Sequence, residues 1–147
     1  MAKETIIILD PEANAQWPLR TLLAEEGFNV IWAKTIEEAM KKFSEYEVSG
    51  LITEYWVNHS STVEIIRGFK KTFPDGYVVV LTIGELPEKE YEAMLNAGAD
   101  DYFQKPFSVQ KILLHLRKGL KQRQNLIQKR KLAEELSRNS LQKHFPG

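Results

Sequence analysis

The chain has 147 residues, of which 43% are hydrophobic and 27% charged, with 20 basic and 20 acidic residues. This size and composition are typical of one soluble globular domain. The chain has no cysteine, which excludes disulfides, thiolate metal sites and a cysteine nucleophile, and it has no apolar run of signal-peptide or membrane-span length, so we expect a cytoplasmic protein.

Strand and helix signals alternate five times along the chain. The predicted strands are short apolar runs at residues 6–9, 28–33, 50–53, 77–81 and 101–103. Helical patterns follow each run. Thr35 and Glu38 have the spacing of a capping box at the start of the second helix, and Pro18 predicts that the first helix starts late or bends near Trp17.

The pattern of apolar and polar residues in the predicted strands indicates the fold. Apolar runs that do not alternate with polar residues are typical of strands buried on both faces, and interposed helices imply parallel pairing. We therefore predict an α/β fold with a doubly wound (βα)5 five-stranded parallel sheet. The last helical pattern runs from Ser108 to about Ser140, which predicts an extended C-terminal helix.

Polar side chains follow four of the predicted strands, at the edge where α/β sheets place ligands and chemistry. They are Asp10, Glu54, Thr82 and Lys105. An acid, a hydroxyl and a lysine that arrive at one edge from separate strands predict a single constellation.

Several segments, correctly ordered and spaced, carry a family resemblance. They are Ile6–Asp10, Glu25–Phe28, Val79–Thr82 and Ala97–Tyr102, the last leading into Lys105–Phe107. Together they resemble the receiver domain of bacterial two-component response regulators, which has a flavodoxin-like, CheY-like fold. The resemblance covers residues 5 to about 120.

The resemblance implies a site. In the family, two adjacent acids after the first strand and an aspartate at the end of the third strand hold Mg²⁺, and that aspartate accepts a phosphoryl group from a histidine kinase. A Ser/Thr and a Lys bind the phosphoryl oxygens, and an aromatic residue on the fifth strand switches rotamer. Asp10, Thr82, Tyr102 and Lys105 match this pattern. Pro11 replaces the second acid, and Glu54 stands at the phosphoacceptor position.

Both replacements weaken the implied chemistry. The Glu54 carboxylate is displaced by about 1.5 Å relative to that of an aspartate, a misplacement that can cost roughly 10²-fold in rate. Pro11 offers no side-chain oxygen. The implied metal ligands are reduced to Asp10, Glu54 and the backbone carbonyl of Trp56, while Glu12 is either a substitute ligand or a charge at a helix N-terminus. We expect no cofactor beyond weakly bound Mg²⁺, and no enzymatic activity.

The functional prediction is an atypical receiver, a pseudo-receiver, that acts through protein contacts without normal phosphorylation. The sequence leaves three alternatives open for Glu54. Its carboxylate imitates the charge of the phosphorylated state, or the residue arose by neutral drift, or it accepts a phosphoryl group as an unusual acceptor. A flavodoxin-like cofactor binder is disfavoured, because the loop from Pro11 to Asn14 has no glycine and few hydroxyls to hold a phosphate.

The C-terminal segment adds a charge asymmetry. Residues 1–106 carry 10 Lys and Arg against 18 Asp and Glu, net −8, and residues 107–147 carry 10 against 2, net +8. We place the receiver domain at residues 1–122 and a helical extension or linker at 123–147. A solvated helix is the simplest interpretation of the basic segment. Nucleic acid is not an expected partner, because the segment lacks interleaved aromatic residues, and neither is a membrane.

The expected partners are proteins, namely a histidine kinase or an output domain. The resemblance implies contacts through the fourth helix, the fifth strand and the fifth helix. A homodimer through the C-terminal helix is also predicted, because Leu113, Leu116, Leu120 and Ile127 have the spacing of a coiled-coil seam. Salt screens the interactions between exposed charges. Parallel pairing of two basic helices, which repel each other, should therefore tighten as the salt concentration rises, whereas docking of the helix on the acidic body should loosen.

Overall fold

A computed structural model of the protein describes residues 3–144. In chain order its elements are β1 (Thr5–Leu9), α1 (Ala13–Glu25), β2 (Asn29–Ala33), α2 (Ile36–Glu45), β3 (Gly50–Glu54), β4 (Trp56–Val57), β5 (Ser60–Ser61), α3 (Val63–Thr72), β6 (Tyr77–Ile83), α4 (Glu88–Ala97), β7 (Asp101–Lys105) and α5 (Val109–His144). None of the helices in this described range is long and apolar enough to cross a membrane.

The five long strands form one parallel sheet, as predicted. Their order is β2-β1-β3-β6-β7, and every neighbouring pair is parallel. The direction in which the chain adds strands reverses between β1 and β3, and ligands of open α/β sheets bind at the carboxyl ends of strands next to such a reversal. The doubly wound fold class is therefore confirmed, and its topology draws attention to the ends of β1 and β3.

The sheet has a hydrophobic core on each face, which explains the non-alternating strands. In β1, Ile7 and Leu9 face a cluster formed with α2, α3 and α4, whereas Ile6 and Ile8 face a second cluster formed with α1 and α5. All four side chains are essentially inaccessible to solvent. Each residue of such a strand removes apolar surface from water, so no position along it favours a polar side chain.

The seam predicted on α5 belongs to the domain's own core. Leu113, Leu116 and Leu120 are 7%, 0% and 6% exposed and pack against the sheet and α1. A face that is buried within its own chain is not free to pair with a second helix, so Leu113, Leu116 and Leu120 do not provide the predicted seam. Ile127 is half-buried, and a homodimer through the C-terminal helix stays a prediction. The helix is continuous from Val109 to His144, so it crosses the predicted boundary at residue 122 without a break.

Gly119 has a packing role inside α5. A Cβ at this position would lie 2.2 Å from Cε1 of Tyr77, so any side chain would collide with the aromatic ring. The glycine lets the helix backbone approach the first residue of β6. Because glycine has a low helix propensity, it destabilises the helix by about 1 kcal/mol relative to alanine at this position.

Two local features differ from the sequence prediction. α1 begins at Ala13 with Pro18 inside it, so the helix does not start late, and the alternative of a bend near Trp17 stays a prediction. The chain after β3 forms a small antiparallel hairpin of β4 and β5, with Asn58 (φ 50°) and His59 (φ 68°) at its turn. Sequence analysis missed this hairpin because its strands have two residues each and its turn lacks the glycine that usually marks such turns.

Candidate functional site

The acid and the lysine predicted at the carboxyl edge are brought together. Glu54 is the last residue of β3 and Lys105 the last of β7, and the two side chains meet across the end of β6. The Lys105 Nζ atom lies 2.6 Å from Glu54 Oε1. The structure therefore contains an ion pair at the position where the sequence predicted a phosphoryl pocket.

The Glu54 carboxylate is buried, and Lys105 compensates its charge only in part. The residue is 8% exposed, and burial raises the pKa of its carboxyl above the ordinary value, although Lys105 lowers it and the charges of Asp10 and Glu12 raise it further. Oε1 is in contact with the ammonium but lacks a partner aligned as in a hydrogen bond. The contact is thus a close ion pair in which the carboxylate keeps unused acceptor capacity.

Asp10 provides a second buried acid beside this pair. It is 5% exposed, and burial raises the pKa of its carboxyl, while a hydrogen bond from the Glu12 backbone N–H (2.9 Å) and the charge of Lys105 lower it. The indole N–H of Trp32 donates to the Asp10 carbonyl (2.9 Å) and fixes the backbone there. Asp10, Glu54 and Lys105 therefore interact electrostatically at one edge of the sheet.

Glu12 lies at the N-terminus of α1. It occupies the N-cap position with extended backbone angles, its side chain makes no capping hydrogen bond, and the residue is exposed. Its charge is near enough to raise the pKa of both Asp10 and Glu54. This placement fits the interpretation of Glu12 as a charge that complements the helix dipole.

The donor set matches Mg²⁺ poorly. Mg²⁺ prefers oxygen ligands in octahedral geometry. Among the residues that the structure describes, no group of three His, Cys, Asp or Glu side chains is arranged to hold a metal ion. The Lys105 ammonium is already paired with one of the two buried carboxylates. Trp56 has no side-chain oxygen and could offer only its backbone carbonyl. The residue is 52% exposed, and its ring packs edge-on against Tyr55, with 4.9 Å between ring centroids.

Thr82 interacts with Tyr102 on the neighbouring strand. The Thr82 hydroxyl donates to the carbonyl of Gly84 (2.6 Å) and lies 3.2 Å from the Tyr102 hydroxyl oxygen. The Leu86 N–H also donates to this phenol oxygen (3.2 Å). Burial raises the pKa of Tyr102, but the hydrogen bonds that its hydroxyl makes with Thr82, Gln104 and Leu86 more than offset this effect, so the pKa lies below the usual value.

Tyr102 connects this hydrogen-bonded group to α4. Its ring packs against that of Tyr91 at 74°, with 5.8 Å between centroids. The sequence analysis did not single out Tyr91, because helical spacing does not reveal which aromatic residue of a distant strand lies beside it. The assignment of Thr82 and Tyr102 to the site stays a prediction, and the sequence did not predict their contact with each other.

The remaining tryptophans form a stack beside the site. The Arg20 guanidinium lies over both Trp17 and Trp32, at 5.0 and 5.2 Å from the ring centroids, and the Lys34 ammonium lies 5.0 Å from the Trp32 ring. Trp17 is 56% exposed. These cation–π contacts hold the ends of α1 and β2 together next to Asp10.

The comparison with known families decides what this site belongs to. Residues 6–117 match the family model of the response regulator receiver domain. The chain belongs to this family. Among curated proteins, this receiver is similar to a putative NtrX-like response regulator of Rickettsia typhi (29% identity, 81% of this chain and 25% of that protein) and to the response regulator MprA of Mycobacterium ulcerans (29% identity, 76% and 48%).

A solved structure supports the fold assignment. The CheY-like receiver domain protein from Methanospirillum hungatei JF-1 is 22% identical, with a TM-score of 0.78 over 84% of this chain and 98% of that one. The receiver described here spans about a quarter of the NtrX-like relative and about half of MprA. It thus corresponds to one domain of longer regulators.

Proposed function

We propose that this receiver transmits signals through protein contacts and does not accept a phosphoryl group in the normal way. The observation that carries the proposal is the ion pair between Glu54 and Lys105, with 2.6 Å between Nζ and Oε1. Phosphoryl transfer depends on the position of the nucleophile and on neutralisation of charge. Here the carboxylate at the acceptor position is a methylene longer than aspartate, and its nearer oxygen already contacts the lysine.

The same contact supports mimicry over neutral drift. Glu54 presents one negative charge to Lys105 from a nearly inaccessible position. A phosphoryl group would supply about two negative charges and more acceptor oxygens, so the imitation is partial. Because burial of the charge costs free energy, an acid without a role at this position should have been replaced readily by a neutral side chain. We propose that Glu54 holds Lys105 in place of a phosphoryl group.

Incubation with acetyl phosphate and Mg²⁺, followed by intact-mass spectrometry in the cold at neutral pH, tests the loss of phosphoacceptance. We expect no species heavier by one phosphoryl group in the wild type. The double variant Pro11→Asp, Glu54→Asp restores the family's acids, and we expect it to gain such a species. A phosphorylated wild type whose extra mass disappears in Glu54→Gln would instead show that Glu54 is an unusual acceptor.

We also propose that Mg²⁺ binds only weakly, in the millimolar range, which corresponds to about 4 kcal/mol or less. Two carboxylates, Asp10 and Glu54, are left where the family uses three, and one of them is paired with Lys105. Tryptophan emission reports on the site because the Trp32 indole is hydrogen-bonded to the backbone carbonyl of Asp10. A saturating change at micromolar Mg²⁺ that is absent in Asp10→Asn would contradict weak binding.

The proposed partners are a histidine kinase or an output domain, contacted through α4, β7 and α5. Support comes from Tyr102, which contacts Thr82 on one side and Tyr91 of α4 on the other. A change at the pocket can therefore alter the surface of α4 through directly packed residues. Signalling of this kind depends on contact surfaces and requires no chemical reaction at the acceptor position.

A further inference from the structure

Two cations and two tryptophan rings form a continuous group at the surface beside Asp10. The Arg20 guanidinium lies over the rings of both Trp17 and Trp32, at 5.0 and 5.2 Å from their centroids, and the Lys34 ammonium lies 5.0 Å from the Trp32 ring. We call these four residues the aromatic platform. Trp17 and Arg20 lie in α1, Trp32 lies in β2 and Lys34 follows β2 directly.

The aromatic platform is accessible to a ligand. Trp17 is 56% exposed although Arg20 lies over its ring, Arg20 and Trp32 are half-buried, and Lys34 is exposed. An exposed indole leaves a large apolar ring in contact with water. A flat molecule that stacks on the Trp17 ring would remove this surface from water, which favours binding.

The positive charges of the platform are not compensated by acids of the chain. Within the described residues, neither Arg20 nor Lys34 takes part in an ion pair. Lys42 makes a similar contact with the Tyr46 ring (5.7 Å), but it is also paired with Glu45 (3.3 Å). A cation over a ring keeps its charge, and a guanidinium presents its N–H donors at its edge. The platform therefore has donors and charge to offer an anion.

The surroundings make this positive charge distinctive. Residues 1–106 carry a net charge of −8. The nearby acid Glu38 accepts a hydrogen bond from the backbone N–H of Lys34 (2.8 Å) and forms no ion pair with its ammonium within the described residues. Two uncompensated cations beside two aromatic rings are complementary to a ligand that joins a planar ring to an anionic group.

We propose that the aromatic platform binds a nucleotide, whose base stacks on the Trp17 ring and whose phosphate contacts Arg20 and Lys34. Stacking on an aromatic side chain tolerates every base, because each base has a π-face. The planar fork of arginine suits phosphate oxygens, which accept two parallel hydrogen bonds from it. A free nucleotide and a single-stranded nucleic acid share this chemistry, and the platform has the aromatic residues that the basic C-terminal segment lacks.

A nucleotide on the platform would be connected to the carboxyl edge of the sheet through Trp32. The indole N–H of Trp32 donates to the carbonyl of Asp10 (2.9 Å). Asp10 in turn interacts electrostatically with Glu54 and Lys105. Binding requires no phosphorylation, so this inference goes beyond the proposed function and does not depend on it.

Titration of the full chain with AMP, followed by tryptophan emission, tests the proposal. Excitation at the red edge of the tryptophan absorption avoids adenine, and EDTA keeps Mg²⁺ out of the experiment. We expect saturable quenching by AMP, and binding weaker by about tenfold or more for adenosine and for inorganic phosphate, because each lacks one half of the recognised group. The proposal is wrong if millimolar AMP causes no saturable change, or if either half binds as tightly as AMP.

Substitutions identify the platform as the binding site. Trp17→Ala and Arg20→Gln should each weaken AMP binding by about tenfold or more, whereas Trp17→Phe, which keeps an aromatic ring, should retain most of it. Lys42→Gln is the matched control, because it removes the cation of the other cation–π contact, and it should bind AMP like the wild type. Equal weakening in Arg20→Gln and Lys42→Gln, with both variants folded by circular dichroism, would show a general effect of charge and refute the site.

Single-stranded oligonucleotides distinguish the two sources of the ligand. Tighter binding of an oligonucleotide than of AMP would assign the platform to single-stranded nucleic acid, and equal binding would assign it to free nucleotides; either result supports the platform if Trp17→Ala removes the binding. Oligonucleotide binding that persists in both Trp17→Ala and Arg20→Gln would place the nucleic acid elsewhere on the chain and overturn the proposal. The experiment contains no phosphodonor, so its outcome is separate from that of the acetyl phosphate test.

Discussion

At the scale of single residues, Glu54 links the electrostatics of the pocket to stability. Burial holds the pKa of this carboxyl above its ordinary value of 4.5 in the folded protein. Between that value and the folded-state pKa, the unfolded chain has lost the proton while the folded protein still binds it. The free energy of unfolding therefore falls as the pH rises through this window, and the stabilising contribution of the protonated acid is complete only below it.

The variant Glu54→Gln should make this dependence visible. Because the amide does not ionise, we expect Glu54→Gln to melt at a higher temperature than the wild type at pH 7, by roughly 2–4 °C, which corresponds to about 1 kcal/mol in a domain of this size. The difference should disappear as the pH falls below 4.5. Thermal melts followed by circular dichroism across this range measure it.

The exposed acid Glu25 supplies the control for this measurement. Glu25→Gln should show no comparable pH-dependent difference from the wild type. A Glu54→Gln variant that is less stable than the wild type at pH 7 would mean that the ion pair with Lys105 more than compensates the burial of the charge. In that case the contact would stabilise the fold in addition to occupying the pocket.

At the scale of elements, the two helical glycines have opposite environments. Gly68 in α3 is exposed, and a Cβ built on it would meet nothing within 4 Å. Gly119 in α5 lies against the Tyr77 ring, where a Cβ would approach Cε1 to 2.2 Å. Helix propensity favours alanine at both positions, so only packing distinguishes them.

Alanine substitution at each glycine tests this distinction. We expect Gly68→Ala to raise the free energy of unfolding by about 0.5–1 kcal/mol, because alanine loses less backbone entropy on folding. We expect Gly119→Ala to lower it by about 1–3 kcal/mol, the usual cost of overpacking. Urea denaturation of the two variants, each the control for the other, measures both effects. An equal change in both would show that the Tyr77 contact is readily relieved.

At the scale of the whole molecule, the least exposed ion pair between α5 and the body, among the described residues, is formed by Arg123 and Asp100. This carboxylate is 14% exposed and accepts hydrogen bonds from Lys70 Nζ (2.6 Å), the Val78 N–H (2.9 Å) and Arg123. The contact between Arg130 and Asp75 is a surface ion pair by comparison, with side chains 61% and 45% exposed. Exposed ion pairs contribute little to the free energy of unfolding. Breaking an ion pair that is partly buried and makes several hydrogen bonds lowers that free energy much more.

Neutralising each acid should separate the two contacts. We expect Asp100→Asn to lower the free energy of unfolding by about 2–4 kcal/mol and to speed amide exchange in the middle of α5. Asp75→Asn, the matched control, should change stability by less than about 0.5 kcal/mol. Urea denaturation and hydrogen exchange measure these effects, and a similar small change in both variants would show that α5 is held by its apolar face alone.

The sequence by itself determined the fold and the meeting of an acid and a lysine at one edge of the sheet. Apolar runs of strand length with helices between them could be buried only in a parallel sheet, and strand ends in such a sheet converge on one edge. This logic predicts Glu54 and Lys105 at the same edge, where their side chains are in contact. The family motifs also assign Tyr102 and Thr82 to the site, and that assignment stays a prediction.

Tertiary structure alone decided which surfaces are used. The spacing of Leu113, Leu116 and Leu120 established that one face of α5 is buried, but a periodic pattern does not specify what covers that face, and the cover proved to be the domain's own sheet. Likewise, the direction of the Thr82 hydroxyl, toward Gly84 and Tyr102, follows from packing between β6 and β7. A sequence pattern records how much of a helix or strand is buried, whereas the identity of its contacts depends on residues that are distant in the chain.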